Sequence, residues 1–109
     1  MSVIEHMAEM VGKLKANPGI LDSVSGMNKT FQFDLEDGEK FYLRVENGDI
    51  SVMDGVATSA AATILASPAL ILDLMSGKAD AIKSFMSGKL KVKGDIFSAQ
   101  KITDLMKRA

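Results

Sequence analysis

The sequence predicts an α+β fold: a five-stranded, mostly antiparallel sheet covered on one face by helices. Three observations predict it. Apolar residues alternate with polar ones from Thr30 to Met53, with turn residues between the runs. Helical spacing dominates both ends of the chain, and strands are largely segregated from helices along it. At 109 residues the chain fits one domain over 1–109, with 47% hydrophobic and 25% charged residues, enough for a real core.

Taken in order, Ser2 can cap a helix, with Glu5 three residues on to complete a capping box. Val3, Met7, Met10 and Leu14 follow at helical spacing, with Ile4 and Val11 beside them. Asn17-Pro18-Gly19 reads as the end of that helix, and Ile20 to Asn28 as a connection with at most one short turn. Phe31, Phe33 and Leu35 then alternate with Gln32, Asp34 and Glu36, and Phe41, Leu43 and Val45 with Lys40, Tyr42, Arg44 and Glu46. Opposed residues must share a face, so Phe33 belongs opposite Phe41. Glu36-Asp37-Gly38 is then a three-residue loop with Gly38 left-handed in a G1 bulge. Asn47-Gly48 reads as a type I′ turn that sets Val45 opposite Ile50 and Leu43 opposite Val52, giving a third strand at Asp49 to Met53.

A fourth strand is placed at Ala60 to Ala66, although its alanines are poor strand formers. Ser67-Pro68 starts a helix that Ala69 to Ser76 continue and Gly77 ends. A second short helix runs from Asp80 to Ser87, closed by Gly88. Lys89-Leu90-Lys91-Val92-Lys93 alternates strictly, as a fifth strand whose lysines discourage edge pairing. Gly94-Asp95 turns and caps a last helix with Ala99, Ile102, Leu105 and Met106 on its apolar side and Lys107-Arg108 complementing its dipole.

Composition removes several kinds of function. The net charge is −1, so no general affinity for nucleic acid is expected, and no aromatic residue interleaves the lysines of the fifth strand. Without cysteine there is no thiol catalysis or thiolate metal site. The single histidine, His6, has no second histidine to share a metal with and is expected on a solvent-facing helix flank. No Gly-x-Ser-x-Gly elbow, Walker or dinucleotide glycine pattern, or EF-hand spacing occurs. Glu36, Asp37 and Glu39 read as a solvated hairpin tip. No run approaches ~18 apolar residues, and the start lacks a secretory pattern. The expectation is a cytoplasmic protein that needs no cofactor and is not an enzyme.

Leu74-Met75-Ser76-Gly77-Lys78, followed by Phe85-Met86-Ser87-Gly88-Lys89-Leu90-Lys91-Val92-Lys93-Gly94, resembles the signature of the sterol carrier (non-specific lipid-transfer) family. Phe31-Gln32-Phe33, Asp37-Gly38, Val45-Glu46-Asn47-Gly48 and Ala62-Thr63-Ile64 are similar to its meander and fourth strand. The likeness runs from Phe31 to Leu105. Phe41 stands where a tryptophan is common in the family, with the apolar role kept. The ending Lys107-Arg108-Ala109 lacks a peroxisomal address, pointing to a stand-alone, prokaryotic-like member.

The resemblance implies an apolar cavity between sheet and helices, no catalytic residue, and fatty acids, fatty acyl-CoA or other lipids as ligands. It also implies transient contact with a membrane surface. The candidate lipid-binding residues are Phe33, Phe41, Leu43 and Val52 on the meander, and Ile71, Leu74, Met75, Ile82, Phe85, Met86 and Leu105 on the helices. A sealed void of ~300 Å³ would cost on the order of 7 kcal/mol, against a domain total of ~5–15 kcal/mol. Ligand is therefore expected to fill the space, or flexible methionines to collapse into it, and the chain has eight. The alternative role is an accessory protein that presents an apolar intermediate to a partner enzyme.

Overall fold

A computed structural model describes residues 2–107. Helix α1 (Val3–Lys15) is followed by α2 (Pro18–Ser23), then by strands β1 (Lys29–Leu35), β2 (Lys40–Glu46), β3 (Asp49–Asp54) and β4 (Ala62–Ala66). Helices α3 (Pro68–Ser76) and α4 (Ala81–Met86), strand β5 (Lys91–Gly94) and helix α5 (Ile96–Met106) complete the chain. The sheet order is β3-β2-β1-β4-β5, antiparallel throughout except for the parallel β1–β4 pair.

Both hairpins follow the face-matching rule. Phe33 lies opposite Phe41 and the loop Glu36-Asp37-Gly38 closes with Gly38 at φ 94°. Leu43 lies opposite Val52 and Val45 opposite Ile50, with Asn47 and Gly48 both at positive φ as a type I′ turn requires. Phe33 also pairs with Ile64, and Ile64 with Val92, so one apolar face runs across all five strands. Helices α1, α3 and α5 cover it, burying Met7, Ile71, Leu74, Ile102 and Met106 against it. The Phe33 and Phe41 rings stack at 5.0 Å.

Three features differ from the sequence reading. Asn17-Pro18-Gly19 ends α1 but also starts α2: Asn17 Oδ1 accepts from the Gly19 and Ile20 N–H groups, and Pro18 supplies the preset first turn. Glu39 is not merely solvated at a hairpin tip, because its carboxylate accepts the Ile4 N–H at 2.9 Å and ties β2 to the start of α1. Strands β4 and β5 are shorter at their N-terminal ends than alternation alone predicts. Arg108, expected to complement the dipole of α5, lies outside the described residues.

The chain leaves β3 at one edge and re-enters the sheet as β4 beyond β1, so residues 55–61 must cross the sheet. They cross on the face away from the helices. Gln32, which alternates outward from Phe31 and Phe33, is buried there: its amide donates to the Phe41 and Gly55 carbonyls, each at 3.1 Å, and its Oε1 accepts the Ala57 N–H at 2.8 Å. Gly94 closes the other end of the crossing. An added Cβ there would sit 2.5 Å from the Ala61 carbonyl oxygen, and its φ of +92° already favours glycine.

Candidate functional site

The C-terminal third of the chain builds a hollow. Asp80 caps α4 by accepting the Lys83 N–H at 2.9 Å. Asp95 caps α5, accepting the Ser98 N–H and hydroxyl, and also pairs with Lys29 Nζ at 2.7 Å. The Lys29 ammonium, with the two Ser98 donors, holds the Asp95 carboxyl well below the usual carboxylate range. The Lys83 N–H lowers Asp80, and the Lys107 ammonium at the far end of α5 contributes as well. Helices α4 and α5 pack on each other, and Ile82 and Phe85 of the one face the same space as Ile96 and Ala99 of the other.

Between α4, α5 and β5 lies a space of about 190 Å³ lined by Ala81, Ile82, Phe85, Leu90, Val92, Ile96, Ala99, Gln100 and Thr103. Gln100 and Thr103 are the polar members of that lining, and no ionisable side chain belongs to it. The Thr103 hydroxyl donates to the Gln100 carbonyl within the helix. Such mostly apolar walls attract hydrocarbon. Larger concavities are open and charged: one of about 360 Å³ between α1 and α3 includes His6, Glu9 and Lys13, and one of about 580 Å³ on the far side of the sheet includes Lys29, Arg44 and Glu46. Among the described residues no three His, Asp or Glu side chains gather as a metal site.

The candidate residues separate into groups. Phe33, Phe41, Leu43, Ile71, Leu74 and Leu105 are packed in the core. Val52 is half-buried on β3. Met75 is half-buried and lines the α1–α3 concavity. Ile82 and Phe85 line the hollow, while Met86 is 80% exposed beside it. Sequence reasoning did not single out Ala81, Leu90, Val92, Ile96, Ala99, Gln100 or Thr103 as lining. The available signal was size: Ala81 and Ala99 are small residues on the buried sides of two helices that pack together, and small residues there leave space.

Helix α4 packs chiefly on α5. It is bounded by Gly77 and Gly88, both at positive φ. Leu90 is buried and anchors the return, its N–H bonded to the Ser84 carbonyl. Helix α4 is thus flanked by a left-handed glycine on each side and fixed to β5 through Leu90.

The family model described as the SCP-2 sterol transfer family matches residues 8–107. Among solved structures, the ubiquinone synthesis protein UbiJ-SCP2 is 18% identical, with a TM-score of 0.79 over 97% of this chain and 94% of that one. Palmitated SCP2L2 from Aedes aegypti is 19% identical, with a TM-score of 0.73 over 98% of this chain and 96% of that one. The sec-alkylsulfatase Pisa1 from Pseudomonas sp. is 20% identical, with a TM-score of 0.71 over 78% of this chain. The chain spans only 14% of that enzyme's length.

Proposed function

Because this chain belongs to the SCP-2 sterol transfer family, we propose that its hollow takes the hydrocarbon part of a fatty acid, fatty acyl-CoA or other lipid, which the protein carries or presents without catalysing a reaction. The observation that carries this reading is the wall itself: seven apolar side chains, one amide and one hydroxyl, opening on the surface between α4 and α5. Palmitate on the structurally similar Aedes aegypti protein supports it.

At about 190 Å³ the space is smaller than the ~300–1,000 Å³ usual for a ligand pocket. A long chain enters when α4 swings on its glycine-flanked ends, which enlarges the hollow without disturbing the stacked Phe33–Phe41 core. The buried candidates then serve as the floor against which α4 moves. The cysteine-free composition is in keeping with a reducing cytoplasm as the site of action.

Thermal unfolding with a panel of fatty acids, acyl-CoAs and phospholipids tests the reading. Ligand at ~100 times its dissociation constant adds ~2.7 kcal/mol, a melting rise of roughly ten degrees or more for a domain of about this size. No shift across the panel overturns it. Presentation to a partner enzyme is favoured by the near end-to-end structural match with UbiJ-SCP2, a ubiquinone synthesis protein. Fast vesicle-to-vesicle transfer by the purified protein alone would select carriage, and its absence together with capture of an apolar-substrate enzyme would select presentation.

A further inference from the structure

The concavity between α1 and α3 has no part in the lipid reading. It shares no lining residue with the hollow between α4, α5 and β5. The two helices that wall it pack on each other. From α1 it receives His6, the only histidine of the chain, with Glu9, Met10 and Lys13. From α3 it receives Met75.

His6 and Met10 are four residues apart, so their side chains are neighbours on one face of α1. Met10 is buried, while His6 and Met75 are half-buried. An imidazole and two thioethers, supplied by two helices, thus border one space that is open to solvent on one side. Core filling accounts for the burial of Met10. It does not call for an imidazole one turn away, or for a second thioether across the same opening.

The donor set selects the ligand. Thioether sulfur is soft and binds hard cations poorly, whereas Cu(I) accepts both thioether and imidazole. Zinc and the harder ions call for thiolate, several imidazoles or carboxylates. The chain has no cysteine, and among the described residues no three His, Asp or Glu side chains gather. All three donors are neutral, so a monovalent ion brings a single positive charge. The Glu9 carboxylate in the same lining offsets it. Lys13 also belongs to the lining, but its flexible stem lets the ammonium stay in water away from the ion.

We propose that His6, Met10 and Met75 form a binding site for a soft monovalent metal ion, Cu(I). The open side of the concavity leaves the ion within reach of an incoming ligand, so it can be exchanged rather than permanently held. The site is independent of the hollow and does not require lipid.

The test is a titration with Cu(I), stabilised by acetonitrile in anaerobic buffer. Ag(I), a closed-shell ion of the same charge, serves in chloride-free buffer for spectra of protein labelled at the methionine methyls. One ion per chain is expected. The methyl signals of Met10 and Met75 and the ring signals of His6 should move, while those of the exposed Met53 and Met86 stay in place. His6→Ala and Met75→Leu are each expected to weaken binding by about tenfold or more, and Met86→Leu to leave it unchanged. Met75→Leu nearly conserves volume, so its melting temperature should stay close to that of the native protein and lost binding cannot be ascribed to unfolding.

No saturable binding of either ion overturns the proposal. So do equal shifts at Met53 and Met86, which would mean unspecific thioether association, and binding that survives Met75→Leu. Zn(II) held as tightly as Cu(I) would overturn it too, giving the space to His6 and Glu9 alone.

Discussion

Ala99→Leu tests the hollow most directly. Ala99 is buried on α5 and forms part of the lining. Leucine adds three carbons, and at ~0.8 kcal/mol per buried methylene the upper gain is about 2.4 kcal/mol. A realistic unfolded chain already shields part of that surface, which brings the gain to roughly 1.5–2 kcal/mol. For a domain of this size the melting temperature should rise by about 6–15 °C in differential scanning calorimetry. The same three carbons displace about three methylenes of ligand. Affinity should therefore fall roughly fiftyfold by fluorescence titration. The ~2.7 kcal/mol that ligand confers on the native protein should drop below ~1 kcal/mol at the same concentration. A variant that loses about 1–3 kcal/mol, as overpacking does, yet binds lipid normally would refute the assignment of this space.

Other substitutions probe the supports of the site. Gln32→Leu should cost about 2–4 kcal/mol in urea unfolding, because the Gly55 carbonyl and Ala57 N–H lose their partner, and proteolysis within residues 55–61 should quicken. Gly94→Ala should cost about 2–3 kcal/mol by the same assay, since its Cβ would meet the Ala61 carbonyl at a left-handed φ. Met75→Asp should fold and bind lipid, losing about 1–2 kcal/mol, because Met75 lines the separate α1–α3 concavity; loss of lipid affinity in the folded variant would return Met75 to the ligand site. Asp95 has its carboxyl lowered from 3.8 by Lys29, so its stabilising contribution is complete above about pH 4 and lost as the pH falls through its lowered value. Asp95→Asn should therefore melt below the native protein at neutral pH, with the gap narrowing under acid; a gap independent of pH would exclude the ion pair as its source.

The meander was legible in the sequence because its information is local. Once Phe33 and Phe41 must share a face, the loop length and the left-handed glycine follow, and Asn47-Gly48 fixes the next register in the same way. Helix α2 was less legible because Pro18 carries two meanings, terminator of one helix and first residue of the next. Gln32 looked like an outward polar residue on a wet face, and nothing near it in sequence announces that residues 55–61 return to cover it. Glu39 is similar, since its partner Ile4 lies 35 residues away. The hollow was the hardest feature to read. Periodicity shows that Ala81 and Ala99 face inward, but a space exists only where two small residues from separate helices are brought together, and that depends on tertiary packing. Large apolar residues such as Phe33 and Leu74 drew the sequence reading instead, and these pack in the core beside the hollow.

The parallel β1–β4 pair has a consequence for how the molecule opens. Phe31 meets Ala62 only after a chain segment of about thirty residues has been closed, an entropic demand of roughly 3 kcal/mol that the two local hairpins avoid. Strands β1 to β3 can thus hold together as one cooperative block while the β4-to-α5 segment loosens as another. Amide exchange should then rank α4 and β5 as the fastest ordered elements and the Phe33–Phe41 hairpin as the slowest. Cargo could be taken up by partial, reversible melting of one half while the other keeps the chain's register.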